Sequence, residues 1–370
     1  MNLSEIQIDR GRLIENFRAL KSLLLPGTHA IVVVKGNAYG HGFAEVVKVL
    51  AEEADGFQVD DIEELRLLRS LTAKRALVLG YITKRDIDEA VGLDCEISVF
   101  DLERLSSIAE AGKRHSMRPK IHLKIDALLG RLGFLPADIP NVIFDLKRFP
   151  ELDLRAAYAH FANIEDTTDV VHANDQWEAF DSCCQQLQSS GWPELGTHIS
   201  ATSGVMTNWK GHSLARLGLG VYGMYPSGAL ARRHTELGLK PVIRWVSHLA
   251  QVKMLPAHHP VGYGLTFITP KPMRIGIVPQ GYSDGVDRGL SSIGEVLVRG
   301  TRCSILGRIA MNMFAVDLSN VADAKAEDEV VLLGSQGEES IGAEEIASRL
   351  GTINYEITTR ISPLLPRRIV

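Results

Sequence analysis

No two cysteines in this chain stand at CxxC spacing, and Cys95, Cys183, Cys184 and Cys303 match no Cys/His pattern that holds zinc. They read as reduced structural thiols, with neither a disulfide framework nor a metal site. Blocks of lysine and arginine interleaved with aromatics are also missing, and the net charge is -5, which argues against nucleic acid. No apolar run approaches the ~20 residues of a membrane span. The start "MNLSEIQIDRGRL" lacks a basic region followed by an apolar core. These absences predict a cytoplasmic protein with no membrane partner. Low-complexity segments and repeats of fixed period are lacking as well.

What is there is a folded chain, 45% hydrophobic and 23% charged, whose 370 residues exceed one ordinary core. From residue 30 to about 222, short apolar runs alternate with amphipathic stretches, the pattern of βα units around a parallel sheet. Eight strands are expected: "AIVVVK" (30–35), "DGFQVD" (55–60), "RALVLG" (75–80), "CEISVF" (95–100), "KIHLKID" (120–126), "RAAYAHFA" (155–162), "THISAT" (197–202) and "LARLGLGVYG" (214–223). That number predicts a closed (β/α)8 TIM-like barrel. A doubly wound open sheet gives a similar alternation, but its glycine-rich GxGxxG turn after the first strand is missing. Beyond "MYPSG" (224–228) the helical period fades into short alternating segments between Gly, Pro and Asp, a mostly β C-terminal domain. The expected division is an N-terminal strand in 1–10 packing with the C-terminal domain, a barrel over 11–235, and the β-rich domain over 236–370.

The run Ile31 to Val34 reads as a strand buried on both faces, yet it ends in Lys35 and turns through Gly36, Gly40 and Gly42. An ammonium inside a protein is costly unless paired, deprotonated or converted to an imine. A lysine that snorkels or meets a carboxylate is the plain alternative. Reactive groups of a (β/α)8 barrel gather at the C-terminal ends of its strands. Here those ends carry Lys35, Lys124 with Asp126 and Arg131, His160, Thr202 with Ser203, and Arg216 with Gly218. Such a set suits a phosphorylated aromatic aldehyde held as an imine, namely pyridoxal 5'-phosphate.

Nine blocks then add up to a family. "VVKGNAYGHG" (33–42), "HLKIDALLGRLGF" (122–134), "RAAYAHFA", "HISATSG" (198–204), "ARLGLGVYG" (215–223), "VGYGLTF" (261–267), "GYSDGVDR" (281–288), "GRIAMNM" (307–313) and "INYEITTRISPLLPR" (353–367) resemble alanine racemase over essentially the whole chain. The resemblance implies a two-base interconversion of L- and D-alanine on a pyridoxal phosphate aldimine, supplying D-alanine for peptidoglycan. It implies that Lys35 carries the aldimine and serves as the base on one face, with Tyr263 as the base on the other. A tyrosine needs a cationic neighbour for that role, and Arg131 and His160 can provide one. His160 would lie against the cofactor ring, Arg131 would meet its phenolic oxygen and the substrate carboxylate, and Lys124 stands where the family has a carbamylated lysine. Arg216 would face the pyridine nitrogen, which a permanently protonated group cannot protonate. Tyr39, Ser203, Gly218, Leu219 and Tyr355 would hold the phosphate, and Tyr282 and Met311 would lie at the substrate end. A homodimer with composite active sites is implied.

Several positions depart from the family's pattern. "DALLGR" (126–131) replaces the usual DTGMGR, Ala159 and Thr202 replace threonine and asparagine, and Asn312 replaces aspartate. Each site residue also has a plain reading. Tyr263 suits a strand in the β-domain core, and His160 a satisfied core histidine. Lys124 and Arg131 suit solvated faces, Ser203 a helix cap, and Arg216 a surface charge. Rival functions are a racemase of serine, lysine or several amino acids, and a decarboxylase of the same architecture. A non-catalytic carrier of the cofactor is a third, against which the β domain and Tyr263 argue.

Overall fold

The computed structural model describes residues 3–165, 168–209 and 212–370. Strand β1 (Glu5–Ile8) comes first. Eight strands follow: β2 (His29–Val33), β3 (Gly56–Val59), β4 (Arg75–Val78), β5 (Glu96–Val99), β6 (Lys120–Lys124), β7 (Asp153–Tyr158), β8 (Gly196–His198) and β9 (Leu214–Leu217). The remainder are β10 (Ile243–His248), β11 (Gln251–Leu255), β12 (Pro260–Val261), β13 (Phe267–Ile268), β14 (Met273–Val278), β15 (Glu295–Val298), β16 (Thr301–Leu306), β17 (Phe314–Asp317), β18 (Glu329–Gln336), β19 (Glu339–Ile341) and β20 (Arg367–Ile369).

The chain divides into two compact units. One comprises Leu13–Lys35 and Val46–Lys240; the other comprises Gly36–Glu45, Pro241–Val370 and the amino-terminal residues through Arg12.

In the first unit β2 to β9 form one parallel sheet in the order β8-β7-β6-β5-β4-β3-β2-β9. The seam between β8 and β9 is closed by separate bonds: Ser213 N–H donates to Thr197 O at 3.1 Å and Arg216 N–H to Ser200 O at 3.1 Å. The result is a nearly closed (β/α)8 barrel, with helices such as Ile62–Leu71 and Glu103–His115 in the connections. Asp61 starts the first of these by accepting the Glu64 N–H, a standard cap. Alternation along the strands sends Ile121 and Leu123 one way and His122 and Lys124 the other, all buried. The fully buried Tyr222 ties the last turn to β2 by donating to Val33 O at 2.6 Å.

The second unit is a β domain. Its ten-stranded sheet runs β11-β14-β17-β16-β15-β18-β10-β1-β20, with β19 on β18. Strand β1 pairs antiparallel with β10, Ile6 opposite Trp245, and parallel with β20. Two apolar clusters fill it, one with Leu255, Met273, Ile275 and Leu306, the other with Val246, Leu297, Val331 and Ile341.

The segment after Lys35 belongs to this unit and has an unusual backbone. Gly36, Asn37, Ala38 and Tyr39 all have φ between 53° and 61°, one turn of left-handed helix. Each non-glycine there costs roughly 1–2 kcal/mol. The turn is held by Gly40 N–H to Gly36 O at 3.0 Å and by Phe43 N–H to the Asn37 side chain at 2.8 Å. Gly40 has φ +85°, and a Cβ on it would lie 1.8 Å from Thr358 O. Gly40→Ala should therefore lower unfolding stability by about 3 kcal/mol through strain and overpacking, read as a drop in the urea midpoint at unchanged m-value.

Candidate active site

The barrel's strand ends bring together most of the cationic residues singled out in the sequence. Arg216, third residue of β9, is 3% exposed, which rules out the surface-charge reading. A buried guanidinium needs acceptors on several sides. It donates to the carbonyls of Ala159, Ile199 and His198 at 3.0, 3.0 and 3.3 Å, and to two ring nitrogens, His198 Nδ1 at 2.5 Å and His160 Nδ1 at 3.1 Å. Burial drives the His160 pKa well below its ordinary value, and Arg216, Arg131, Lys124 and Lys35 all push it the same way. His160 is therefore a neutral imidazole, and not the cationic neighbour expected for Tyr263.

Lys124 ends β6 and is 3% exposed, so it does not sit on a solvated face. Its ammonium donates to Ile125 O at 2.8 Å and lies 5.2 Å from the centre of the Tyr158 ring. Arg216 lies 5.5 Å from the same ring. Burial, then Arg216, with Arg131 adding and Asp126 opposing, pushes the Lys124 pKa down to about 7. A lysine this close to neutral at physiological pH is a usable nucleophile.

Lys35 corrects one expectation. Strand β2 ends at Val33, and the Lys35 side chain is 45% exposed, not enclosed, with Asp60 Oδ1 3.2 Å from its Nζ. The plain reading, a lysine that meets a carboxylate, describes that contact. Its partner is itself 49% exposed, so the pair is screened and leaves the amine within reach of a ligand.

Arg131 is exposed, on a loop tied by Asp126. The Asp126 carboxylate, 6% exposed, accepts the N–H groups of Leu129, Gly130 and Arg131 at 3.0, 3.0 and 2.9 Å. Leu128, where the family's motif differs, takes φ 58°. Ser203 lies inside the short helix Thr202–Met206, whose cap is Ala201, so it is no helix cap; it donates to Glu165 Oε2 at 2.6 Å. Gly218 N–H goes to Thr202 Oγ1 at 3.1 Å, and Gly218 precedes the single turn Leu219–Tyr222.

The other sequence candidates lie on the β domain. Tyr263 is 73% exposed in a one-turn helix, Tyr263–Leu265, and not in the domain core. Tyr282 and Met311 are exposed as well, and Tyr282 N–H donates to Ala310 O at 3.1 Å. Asn312 donates to Ser283 Oγ at 2.8 Å. Tyr39 and Tyr355 face each other with ring centres 6.1 Å apart.

The sequence reading missed the barrel interior. Glu96, Ser98, His122, Tyr158 and His198 are all buried there, and Ser98 Oγ and Tyr158 Oη share a hydrogen bond of 2.5 Å. Tyr158 stacks on His198 at 4.8 Å and 2°. The signal was present: Glu96 and Ser98, then His122 and Lys124, fall every second residue inside otherwise apolar strands. Among the described residues no group of three His, Cys, Asp or Glu side chains could hold a metal ion, and no helix is long and apolar enough to cross a membrane.

These residues suit pyridoxal phosphate on the chemistry of their donors. A primary amine stands exposed at one strand end. A buried guanidinium, a neutral imidazole and a serine hydroxyl stand at others. Asp126→Ala should remove three backbone partners at once, cost about 3 kcal/mol, and raise amide exchange of Leu129, Gly130 and Arg131 far more than that of β6. Equal protection in both proteins would contradict the anchoring role.

Comparison with known proteins identifies the family. Residues 8–226 match the family model described as alanine racemase, N-terminal domain, and residues 242–369 match alanine racemase, C-terminal domain. The chain is 35% identical to the alanine racemase of Desulfosudis oleivorans over 98% of its own length and 95% of that protein's. It is 34% identical to alanine racemase 2 of Caldanaerobacter subterraneus, over 98% and 94%. The crystal structure of alanine racemase from Streptomyces lavendulae superposes with a TM-score of 0.93 at 31% identity, covering 100% of this chain and 97% of that one. That of the Bacillus anthracis enzyme with bound L-Ala-P gives 0.92 at 29%, over 100% and 95%. The chain belongs to the alanine racemase family.

Proposed function

We propose that this protein interconverts L- and D-alanine with pyridoxal 5'-phosphate, in the cytoplasm, and so supplies D-alanine for peptidoglycan. The observation that carries the reading is the buried Arg216 guanidinium donating to the neutral His160 ring at a barrel mouth that also presents Lys35. Lys35, Tyr39, His160, Ser203, Arg216, Leu219 and Tyr355 would hold the cofactor, with Gly218 leaving room for close approach. When bound, the cofactor supplies an electron sink that acidifies the substrate α-C–H.

The barrel, residues 11–235, carries all of these cofactor residues but Tyr355, and the β-rich part, 236–370, carries Tyr355 and Tyr263. Racemisation needs a proton carrier on each face of the α-carbon. Lys35 takes or returns it on one face and Tyr263 on the other. Arg131 binds the substrate carboxylate, and Tyr282 and the Met311 backbone line the substrate end. A bound ring nitrogen facing Arg216 would receive no proton from it, and the weaker sink would favour simple reprotonation over transamination or decarboxylation. The protein works as a homodimer with composite sites. Supporting this, Tyr263, Leu265, Met311, Met313 and Ile353 are all more than half exposed. Such a set of apolar side chains suits burial against a second copy.

Lys124 is carbamylated in this reading. A neutral amine adds CO2 and releases a proton, and the resulting anion is favoured beside Arg131 and Arg216. Unmodified, Lys124 has a folded pKa of about 7, below the unfolded value near 10.4. The unfolded chain then binds the extra proton between those limits, so stability rises with pH across that window and is lowest below about pH 7. Protein carrying the carbamate should lack that rise. The check is urea unfolding across the window with and without 13C-bicarbonate, alongside the carbamate carbon signal; a rise that persists with full labelling would contradict the assignment.

Purified protein with pyridoxal phosphate and L-alanine in deuterated water should lose optical rotation while the α-carbon gains deuterium. Lys35→Ala should abolish turnover and the lysine-dependent cofactor absorbance. Tyr263→Phe should keep the absorbance and lower kcat by about 10^3. Wild-type rates in both directions for Tyr263→Phe would remove that residue from the mechanism.

A further inference from the structure

The hydrogen bonds of Arg216 do not stop at His198. His198 Nε2 lies 2.8 Å from His122 Nδ1, and His122 Nε2 lies 2.7 Å from Glu96 Oε2. The same carboxylate oxygen takes Arg75 Nη2 at 2.7 Å. Both imidazoles are fully buried, Glu96 is 7% exposed, and Arg75, 26% exposed, closes the far end. Glu96 and Arg75 are the first residues of β5 and β4, and His198 is the last of β8. The chain of bonds therefore crosses the barrel from the amino-terminal to the carboxy-terminal ends of its strands.

Its direction follows from valence. A guanidinium has five donors and no lone pair to offer, so His198 Nδ1 must be the bare, accepting nitrogen. Burial and then Arg216 hold His198 well below its ordinary pKa, so the ring is neutral and its one proton sits on Nε2. That proton points at His122 Nδ1, which must in turn be bare. Burial also lowers the His122 pKa. Its proton sits on Nε2 and points at Glu96, an acceptor-only group when ionised. Although burial opposes ionisation, His122 and Arg75 hold Glu96 down at about 2. Four groups thus have one consistent arrangement, Arg216 to His198 to His122 to Glu96. The opposite direction would need the guanidinium to accept.

We infer that Glu96 is a positioning residue of the site, which fixes the tautomers of His122 and His198 and so holds Arg216 in place through a one-way chain of hydrogen bonds. Arg216 Nη2 applies the same rule to His160, whose Nδ1 accepts and whose proton is left on Nε2. The chain's service to the reaction rests on the racemase reading; its tautomers do not. The plain alternative is that Glu96 merely neutralises Arg75, in which case nothing beyond His122 depends on it.

The test is long-range 1H–15N correlation on the holoenzyme labelled in histidine. His122 and His198 should each show a neutral ring protonated at Nε2 throughout about pH 6–9. Either ring protonated at Nδ1 overturns the inference, and this measurement stands even if variants fold poorly. In Glu96→Gln the Nε2 proton of His122 should lose its carboxylate-bonded downfield position, and that of His198 should shift with it, because polarisation passes along such chains. A change confined to His122 supports simple neutralisation of Arg75 and overturns the positioning role. The same variant should lose about 10- to 100-fold in kcat with little change in KM. Both rings protonated at Nε2 in a protein that fails to racemise alanine would uphold the chain and sink the racemase reading. Wrong tautomers in an active racemase would do the reverse.

Discussion

A permanent positive charge buried inside a barrel is the constraint from which much of the first unit follows. Barrel interiors of this kind are ordinarily filled by layers of branched apolar side chains. Arg216 at 3% exposure forbids that filling around itself, because each of its donors must find an acceptor without water. Three backbone carbonyls and two imidazoles meet the demand. Two of those carbonyls, Ala159 and Ile199, lie just past the ends of β7 and β8. A ladder continuing regularly through them would commit them to a neighbouring strand. The short β8 and the irregular seam with β9 leave them available, so the incomplete closure of the barrel and the seating of the guanidinium are one arrangement.

The same charge sets the protonation of its surroundings. His160 and His198 are held neutral by burial and by Arg216, and Lys124 falls to about 7 for the same two reasons. Tyr158 has the ammonium of Lys124 and the guanidinium of Arg216 each within 5.5 Å of its ring centre and stacks on His198. A π face tolerates such neighbours better than an aliphatic side chain would. The two imidazoles have shed their extra proton, Lys124 sheds its own near neutral pH, and the guanidinium, which cannot, has been given acceptors. The site is accordingly rich in neutral imidazoles and in nearly neutral amine, which are the forms useful for proton transfer.

Legibility in the sequence divides along the same physical line. Short β-branched runs between amphipathic stretches depend on local patterning, and all eight barrel strands were readable from it, although the last was expected to run to residue 223 and ends at Leu217, giving way to the turn Leu219–Tyr222. The cluster at the strand ends was readable because a barrel delivers every strand's carboxy terminus to one mouth. Three things were not. Lys35 lies past the end of β2, which an apolar run alone cannot reveal, so its exposure was missed, although a lysine meeting a carboxylate was the plain alternative and Asp60 is that carboxylate. The left-handed turn at Gly36–Tyr39 contains three non-glycine residues whose φ no propensity predicts. The interior chain joins residues 75, 96, 122, 198 and 216, and only the curled sheet brings them into contact.

The departures from the family's pattern bear on what is being preserved. Ala159 stands where threonine is usual, yet what Arg216 takes from that position is the backbone carbonyl, at 3.0 Å. Any side chain compatible with the backbone leaves that bond intact. Thr202 replaces asparagine and gives its hydroxyl oxygen to Gly218 N–H, a task that any short side chain with an accepting oxygen can perform. Ala127 and Leu128 change the loop before Arg131, but Asp126 still gathers the three N–H groups that set its course. At Ala159 and in the Asp126 loop the altered side chain is separable from the interaction, which belongs to the backbone or to a neighbour, and at Thr202 the replacement side chain can make the bond itself. Arg216, His198, His122 and Glu96 have no such latitude, because each offers the one donor or acceptor that its neighbour in the chain requires.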